Sequence, residues 1–127
     1  MFQPKANIYI VENEVLIADD LAESLEEYGY TIVGISDNAL GGFEGIKTSK
    51  PDVVVLDINL DSSADGIDLG ERVSSELNVP IIYVSAYIDR ATRARAEKTN
   101  PVSFLSKPFD PAELNVAIKF AVNKYLK

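Results

Sequence analysis

Val53-Val54-Val55-Leu56-Asp57 decides the fold of this chain: successive apolar residues fill a strand buried on both faces, and a carboxylate stands where it ends. In an open parallel α/β sheet, ligands collect at the carboxyl ends of the strands, so a carboxylate there points to chemistry rather than to surface decoration. Three other strand-like runs also end in polar, reactive residues. Ile8-Tyr9-Ile10-Val11 leads to Glu12-Asn13-Glu14, Ile81-Ile82-Tyr83-Val84 to Ser85, and Val102-Ser103-Phe104-Leu105 to Ser106-Lys107. Carboxylates, a hydroxyl and an ammonium are therefore expected on one rim of the sheet.

Strand-like and helix-like patterns alternate along the chain, the mark of a parallel sheet covered by helices on both faces. Ile17, Leu21, Leu25 and Tyr28 recur at helical spacing, and Gly29 is placed to stop that helix before a second strand at Thr31-Ile32-Val33-Gly34-Ile35. A second helix is expected from about Ala39 to Thr48. Gly41 and Gly42 each cost it about 1 kcal/mol relative to Ala, which predicts a short or mobile element. Asp65-Gly66 opens a third helix with a stripe of Leu69, Val73 and Leu77. The segment Asp89 to Lys98 reads as a helix rich in Arg and Ala with no large aliphatic anchor, hence a moving part. The last helix starts near Pro111, with Asp110 as N-cap and Leu114, Ile118, Ala121 and Tyr125 on one face.

At 127 residues the chain is one domain's worth, able to bury roughly two-thirds of its unfolded surface. It has no cysteine and no histidine. Thiolate and imidazole metal ligands, disulfides and phosphohistidine chemistry within the chain are all excluded, so a bound metal must be a hard, oxygen-seeking cation. A formal charge of −8, with 20 acids against 12 bases, argues against a nucleic-acid-tracking surface. Neither a targeting pattern at Met1-Phe2-Gln3-Pro4-Lys5 nor an apolar run of membrane-spanning length is seen, so a cytoplasmic module without membrane partners is expected.

A carboxylate nucleophile at Asp57 needs an electrophilic phosphorus, a divalent cation and donors for the phosphoryl oxygens. Glu12, the Asn13 side-chain oxygen, Asp57 and the Asn59 backbone carbonyl can build a partly hydrated Mg²⁺ (or Mn²⁺) shell. Lys107 supplies a positive point charge and Ser85 a hydroxyl donor. Taken singly, each has a plainer use: Asp57 as a turn cap, Lys107 as cover for apolar surface, Ser85 as a helix cap, Phe104 as core, and Arg90, Arg93 and Arg95 as a solvated helix face.

As a set, these residues resemble the receiver (REC) domain of bacterial and archaeal two-component response regulators. The resemblance rests on Ile10-Val11-Glu12-Asn13-Glu14, Pro51 to Leu60, Asp65-Gly66-Ile67-Asp68-Leu69, Val79 to Tyr87, and Leu105-Ser106-Lys107-Pro108-Phe109. It implies a flavodoxin-like (βα)5 doubly wound sheet of order 2-1-3-4-5, with residues 1–127 forming a single receiver domain. Asp57 is then the phosphoacceptor, Glu12 and its neighbour the acidic metal pair, Ser85 the switch hydroxyl, Lys107 the phosphoryl-pairing lysine and Phe104 the aromatic switch position. Lys107-Pro108 offers a proline that tolerates the cis bond common in the family. Tyr87 and Asn59 fall where family members tune water access to the acyl phosphate.

The implied partners are a sensor histidine kinase or histidine phosphotransfer domain as donor, an output domain or downstream protein, and a second copy in a homodimer. The implied chemistry is the chain's own phosphorylation and dephosphorylation, read out near Ser85, Phe104 and the 89–127 region, rather than turnover of an outside metabolite. Asn13 departs from the family, which usually has aspartate there. The loss of one negative charge predicts weak Mg²⁺ binding and keeps open a degenerate receiver that acts as a phosphorylation-independent interaction module. An aspartyl phosphatase of the haloacid-dehalogenase type normally carries Asp-x-Asp after its first strand, whereas here Asp57-Ile58-Asn59 follows the third.

Overall fold

A computed structural model describes residues 6–60, 65–86 and 88–125, with the side chains of Asp65 and Tyr125 outside the description. Five parallel strands, β1 (Asn7–Val11), β2 (Thr31–Ser36), β3 (Val53–Asp57), β4 (Ile81–Ser85) and β5 (Ser103–Ser106), form one sheet of order β2-β1-β3-β4-β5. This is the expected flavodoxin-like arrangement. Every residue of β3 and β4 is buried, which is why their sequences read as continuous apolar runs.

Alternation along the strands divides the core in two. Ile8, Ile10, Val53, Val55, Ile82 and Val84 face the helices α1 (Val15–Glu27) and α5 (Pro111–Tyr125). Tyr9, Val11, Val54, Leu56, Ile81 and Tyr83 face α2 (Ala39–Ser49), α3 (Asp65–Arg72) and α4 (Arg90–Glu97). Burying a Leu or Ile fully is worth about 1.5–3 kcal/mol, so these two layers fix which strand ends meet.

Several helices differ in detail from the sequence expectation. On α1 the buried stripe is Ala18, Leu21 and Leu25; Ile17 lies at its rim, and Tyr28 is exposed just past the end, where Gly29 adopts φ 99°. Helix α2 is not short. Asn38 caps it by accepting from the Gly41 N–H at 2.7 Å, and it runs through Ser49. A Cβ at Gly42 would stand 3.2 Å from both Leu69 and Val11, so close packing offsets the glycine's propensity cost. After Arg72, α3 widens into a π-turn over Val73–Leu77, which closes at Asn78 in the left-handed conformation. Leu69 and Val73 are buried as expected, with Leu77 packed at the margin.

Helix α4 begins at the Asp89 cap, whose side chain accepts from the Thr92 N–H at 2.7 Å. It does have an anchor: Ala96 is fully buried, and Thr99 Oγ1 bonds the buried Tyr83 hydroxyl at 2.7 Å. The fully buried anchors thus lie at its C-terminal end, with the partly buried Ile88 packed against the core just before its start. None of the helices among the described residues is long and apolar enough to cross a membrane.

Candidate functional site

Three strands deliver the reactive groups to one place. Asp57 is the last residue of β3 and 3% exposed; Glu12 directly follows β1 and is 2% exposed. Lys107 follows β5, where its backbone N–H donates to the Ser85 carbonyl at 2.7 Å. Its Nζ then donates to Glu12 Oε1 at 2.8 Å and to Asp57 Oδ2 at 3.3 Å. The Lys107–Pro108 bond is cis.

The loop after β3 completes the arrangement. The Asn59 N–H donates to Asp57 Oδ1 at 2.9 Å, and Asn59 Nδ2 donates to Ser85 Oγ at 2.9 Å. Asn13 Nδ2 donates to the Leu60 carbonyl at 3.0 Å, which ties the Asn13 side chain to the loop after β3. Glu12 Oε2 accepts from the Glu14 N–H at 3.2 Å, so Glu14 contributes backbone and not its acid. Gly66 at the start of α3 lies against the Asp57 carbonyl and the Ile58 backbone, and any Cβ there would collide with them.

Burial raises the pKa of Asp57 from 3.8 to about 6; the nearby Glu12 charge pushes the same way, while Lys107 and the Asn59 N–H pull it partly back. Burial alone would lower the Lys107 pKa, but its bond to Glu12 and the negative charges of Asp57 and Glu12 outweigh that and raise it. One lysine therefore faces two acids. The remaining negative charge on the Glu12 and Asp57 carboxylates fits a hydrated Mg²⁺ or Mn²⁺, which binds through one or two carboxylates. Among the described residues no three Asp, Glu, His or Cys side chains cluster as a metal cage.

Phe104 is half-buried on β5, its ring 6.2 Å from that of Tyr83 and covered by the Arg93 guanidinium at 4.2 Å from the ring centroid. Tyr87 lies outside the described residues. Arg95, half exposed, pairs with Asp68 across to α3 at 3.4 Å. Two contacts escape a reading of sequence alone, the Asn59 side-chain bond to Ser85 and the Asn13 bond to the Leu60 carbonyl, because side-chain reach across strands leaves no periodicity.

Fold and site together define a doubly wound α/β protein whose central-strand carboxylate shares a lysine with a second acid. Within that class the chain belongs to the response regulator receiver domain family, whose model matches residues 8–119. It is 36% identical over 118 residues to the transcriptional regulatory protein PdtaR of Mycobacterium tuberculosis, covering 93% of this chain and 57% of that protein. It is 30% identical to the phyllosphere-induced regulator PhyR of Methylorubrum extorquens, covering 91% of this chain and 43% of the relative. The chain thus spans about half the length of these curated relatives. The solved signal receiver domain of a modulated diguanylate cyclase from Desulfovibrio desulfuricans superimposes with TM-score 0.89 at 31% identity, covering 95% of this chain and 96% of that one. Family membership sets aside the phosphatase reading.

Proposed function

We propose that this receiver domain is a phosphorylation switch whose acceptor is Asp57. The observation that carries the reading is the single Lys107 ammonium shared between Glu12 and Asp57. A carboxylate oxygen of Asp57 attacks the phosphorus of a phosphohistidine on a sensor kinase or phosphotransfer partner. The P–N bond breaks with its electron pair returning to the imidazole, and a P–O bond forms at Asp57. Hydrolysis of that acyl phosphate by water releases phosphate and restores the carboxylate. Mg²⁺ or Mn²⁺ held by Glu12, Asp57, the Asn13 oxygen and the Asn59 carbonyl would neutralise phosphoryl charge. Lys107 pairs with the phosphoryl group, and Ser85 donates to it.

The new charge biases a two-state equilibrium involving Ser85, Phe104 and α4. Partners read the favoured state. An apolar hollow of ≈ 440 Å³ opens beside Glu12 and Lys107, walled by Ile17, Leu21, Val84 and Phe109, and suits the approach of a protein donor. A single cytoplasmic receiver unit, with a protein output or a second copy rather than nucleic acid as its direct contact, agrees with the charge of −8. Incubation with a small acyl phosphate and Mg²⁺, followed by intact mass, tests the reading: one phosphoryl group is gained and is lost in Asp57→Ala. No gain even at high Mg²⁺ favours the second reading, a phosphorylation-independent interaction module, for which Asn13 is the specific observation.

A further inference from the structure

We propose that the Tyr83 hydroxyl is the hinge pin of α4: it holds the C-terminal end of the helix to the sheet, so that α4 opens locally from its N-terminal turns and carries Arg93 away from Phe104 while its last turn stays in place. The direction of the hydrogen bonds shows how the pin is built. Thr99 Oγ1 lies 2.7 Å from the Ala96 carbonyl, which can only accept, so the single hydroxyl proton of Thr99 is spent there. The phenol is therefore the donor in the 2.7 Å contact between Tyr83 and Thr99 Oγ1. A chain runs from the Tyr83 O–H through the Thr99 O–H to the Ala96 carbonyl, one of the last-turn carbonyls that have no helical i+4 partner.

Tyr83, Ala96 and Thr99 are all buried. Burying a phenol costs free energy unless its hydroxyl is bonded, and the fold makes room for this one: any Cβ at Gly70 of α3 would collide with the Tyr83 hydroxyl. Tyr83, Gly70 and Thr99 thus converge on one contact from β4, α3 and the end of α4. The other end of α4 is held differently. Arg90, Arg93 and Ala94 are exposed, Asp89 caps the helix from an exposed position, and Arg93 lies over Phe104 with its Nε on the exposed Glu97. The apolar hold there is the partly buried Ile88, before the helix start. Segments resting on exposed contacts open at lower free energy than segments held by buried ones. The Tyr83 ring itself lies 6.2 Å from that of Phe104, so the hinge stands beside the ring that the opening uncovers.

Amide hydrogen exchange followed by NMR on the full chain tests this; it needs no phosphoryl group, so its outcome is separate from that of the Asp57 reading. In the parent, the Lys98 and Thr99 N–H groups, bonded to the Arg95 and Ala96 carbonyls, are expected to be protected about tenfold or more above the Arg93 N–H, bonded to the Asp89 carbonyl. Tyr83→Phe keeps the ring and removes the pin. It should lower protection at Lys98 and Thr99 about three- to tenfold, the range of one net hydrogen bond, and at Arg93 by less than about twofold. Thr99→Val should have the same effect at Lys98, and the double variant no more than either single one. Protection as high at Arg93 as at Thr99 in the parent overturns the proposal. So does a loss in Tyr83→Phe spread equally over Arg93, α1 and α5, which marks a contribution to general stability alone.

Discussion

Lys107 Nζ sits closer to Glu12 Oε1, at 2.8 Å, than to Asp57 Oδ2, at 3.3 Å. The ammonium is held more closely by Glu12 than by Asp57. Asp57 consequently keeps an uncompensated part of its burial cost, which is the physical origin of its raised pKa. On the proposed reading, a cation at the carboxylates competes with Lys107 for Glu12, and the ammonium then becomes available to a phosphoryl group.

This electrostatic imbalance makes stability depend on pH in a defined direction. The folded pKa of about 6 lies above the ordinary 3.8, so the contribution of Asp57 is fully present below about 3.8 and is lost as pH rises through about 6. A rise of that size caps the effect near 3 kcal/mol, and solvent screening at the rim brings it to about 1–2 kcal/mol. Asp57→Asn should therefore raise the metal-free melting temperature at pH 7.5 by several degrees and leave it nearly unchanged at pH 4. Equal shifts at both values would contradict the assignment.

Removing Lys107 leaves two buried acids facing each other. Lys107→Ala is expected to destabilise the metal-free protein at pH 7.5 by about 2–4 kcal/mol, since the partner charges lose their compensation. A divalent cation supplies the same compensation. Mg²⁺ should accordingly raise the melting temperature of Lys107→Ala more than that of the parent, measured by thermal denaturation with and without the ion.

Asn13 contributes an oxygen but no charge. On the proposed reading Asn13→Asp adds a carboxylate next to Glu12, and the expected result is Mg²⁺ affinity higher by about tenfold or more. Fluorescence or calorimetric titration of both forms at pH 7.5 gives the comparison. Equal affinities would remove the charge argument and, with it, the reason to expect slow phosphorylation.

The central strands and the reactive rim were legible because two-sided burial writes itself as unbroken apolar runs in β3 and β4, which end directly at Asp57 and Ser85, with Glu12 straight after β1 and Lys107 straight after the half-buried β5. Strand order came from resemblance, since periodicity carries no information on which strands are neighbours. Helix rims were harder: the i, i+4 series Ile17, Leu21, Leu25 drifts around the helix, so Ala18 and not Ile17 completes the buried stripe. Local chemistry also hid three features that tertiary contact creates. The π-turn at Val73–Leu77 keeps an apolar stripe that reads like plain α-helix, Gly66 is required by the backbone it touches, and Asn59 meets Ser85 across 26 residues.

The clamp on Phe104 supplies the last prediction. Its ring lies between Tyr83 and the Arg93 guanidinium, and Arg93 Nε is in turn held by Glu97 Oε2 at 3.4 Å. An exposed cation over a ring contributes about 0.5–1 kcal/mol, so Arg93→Ala should cost the fold no more than that. The C-terminal end of α4 remains pinned by Ala96 and by the Thr99–Tyr83 bond. Loss of the guanidinium therefore frees Phe104 and the N-terminal turns of α4 without releasing the helix. Methyl and aromatic NMR spectra should show Phe104 ring signals shifting in Arg93→Ala, and beryllofluoride with Mg²⁺ should produce the full α4 response at lower occupancy than in the parent. An unchanged Phe104 environment would mean that the guanidinium does not hold the ring.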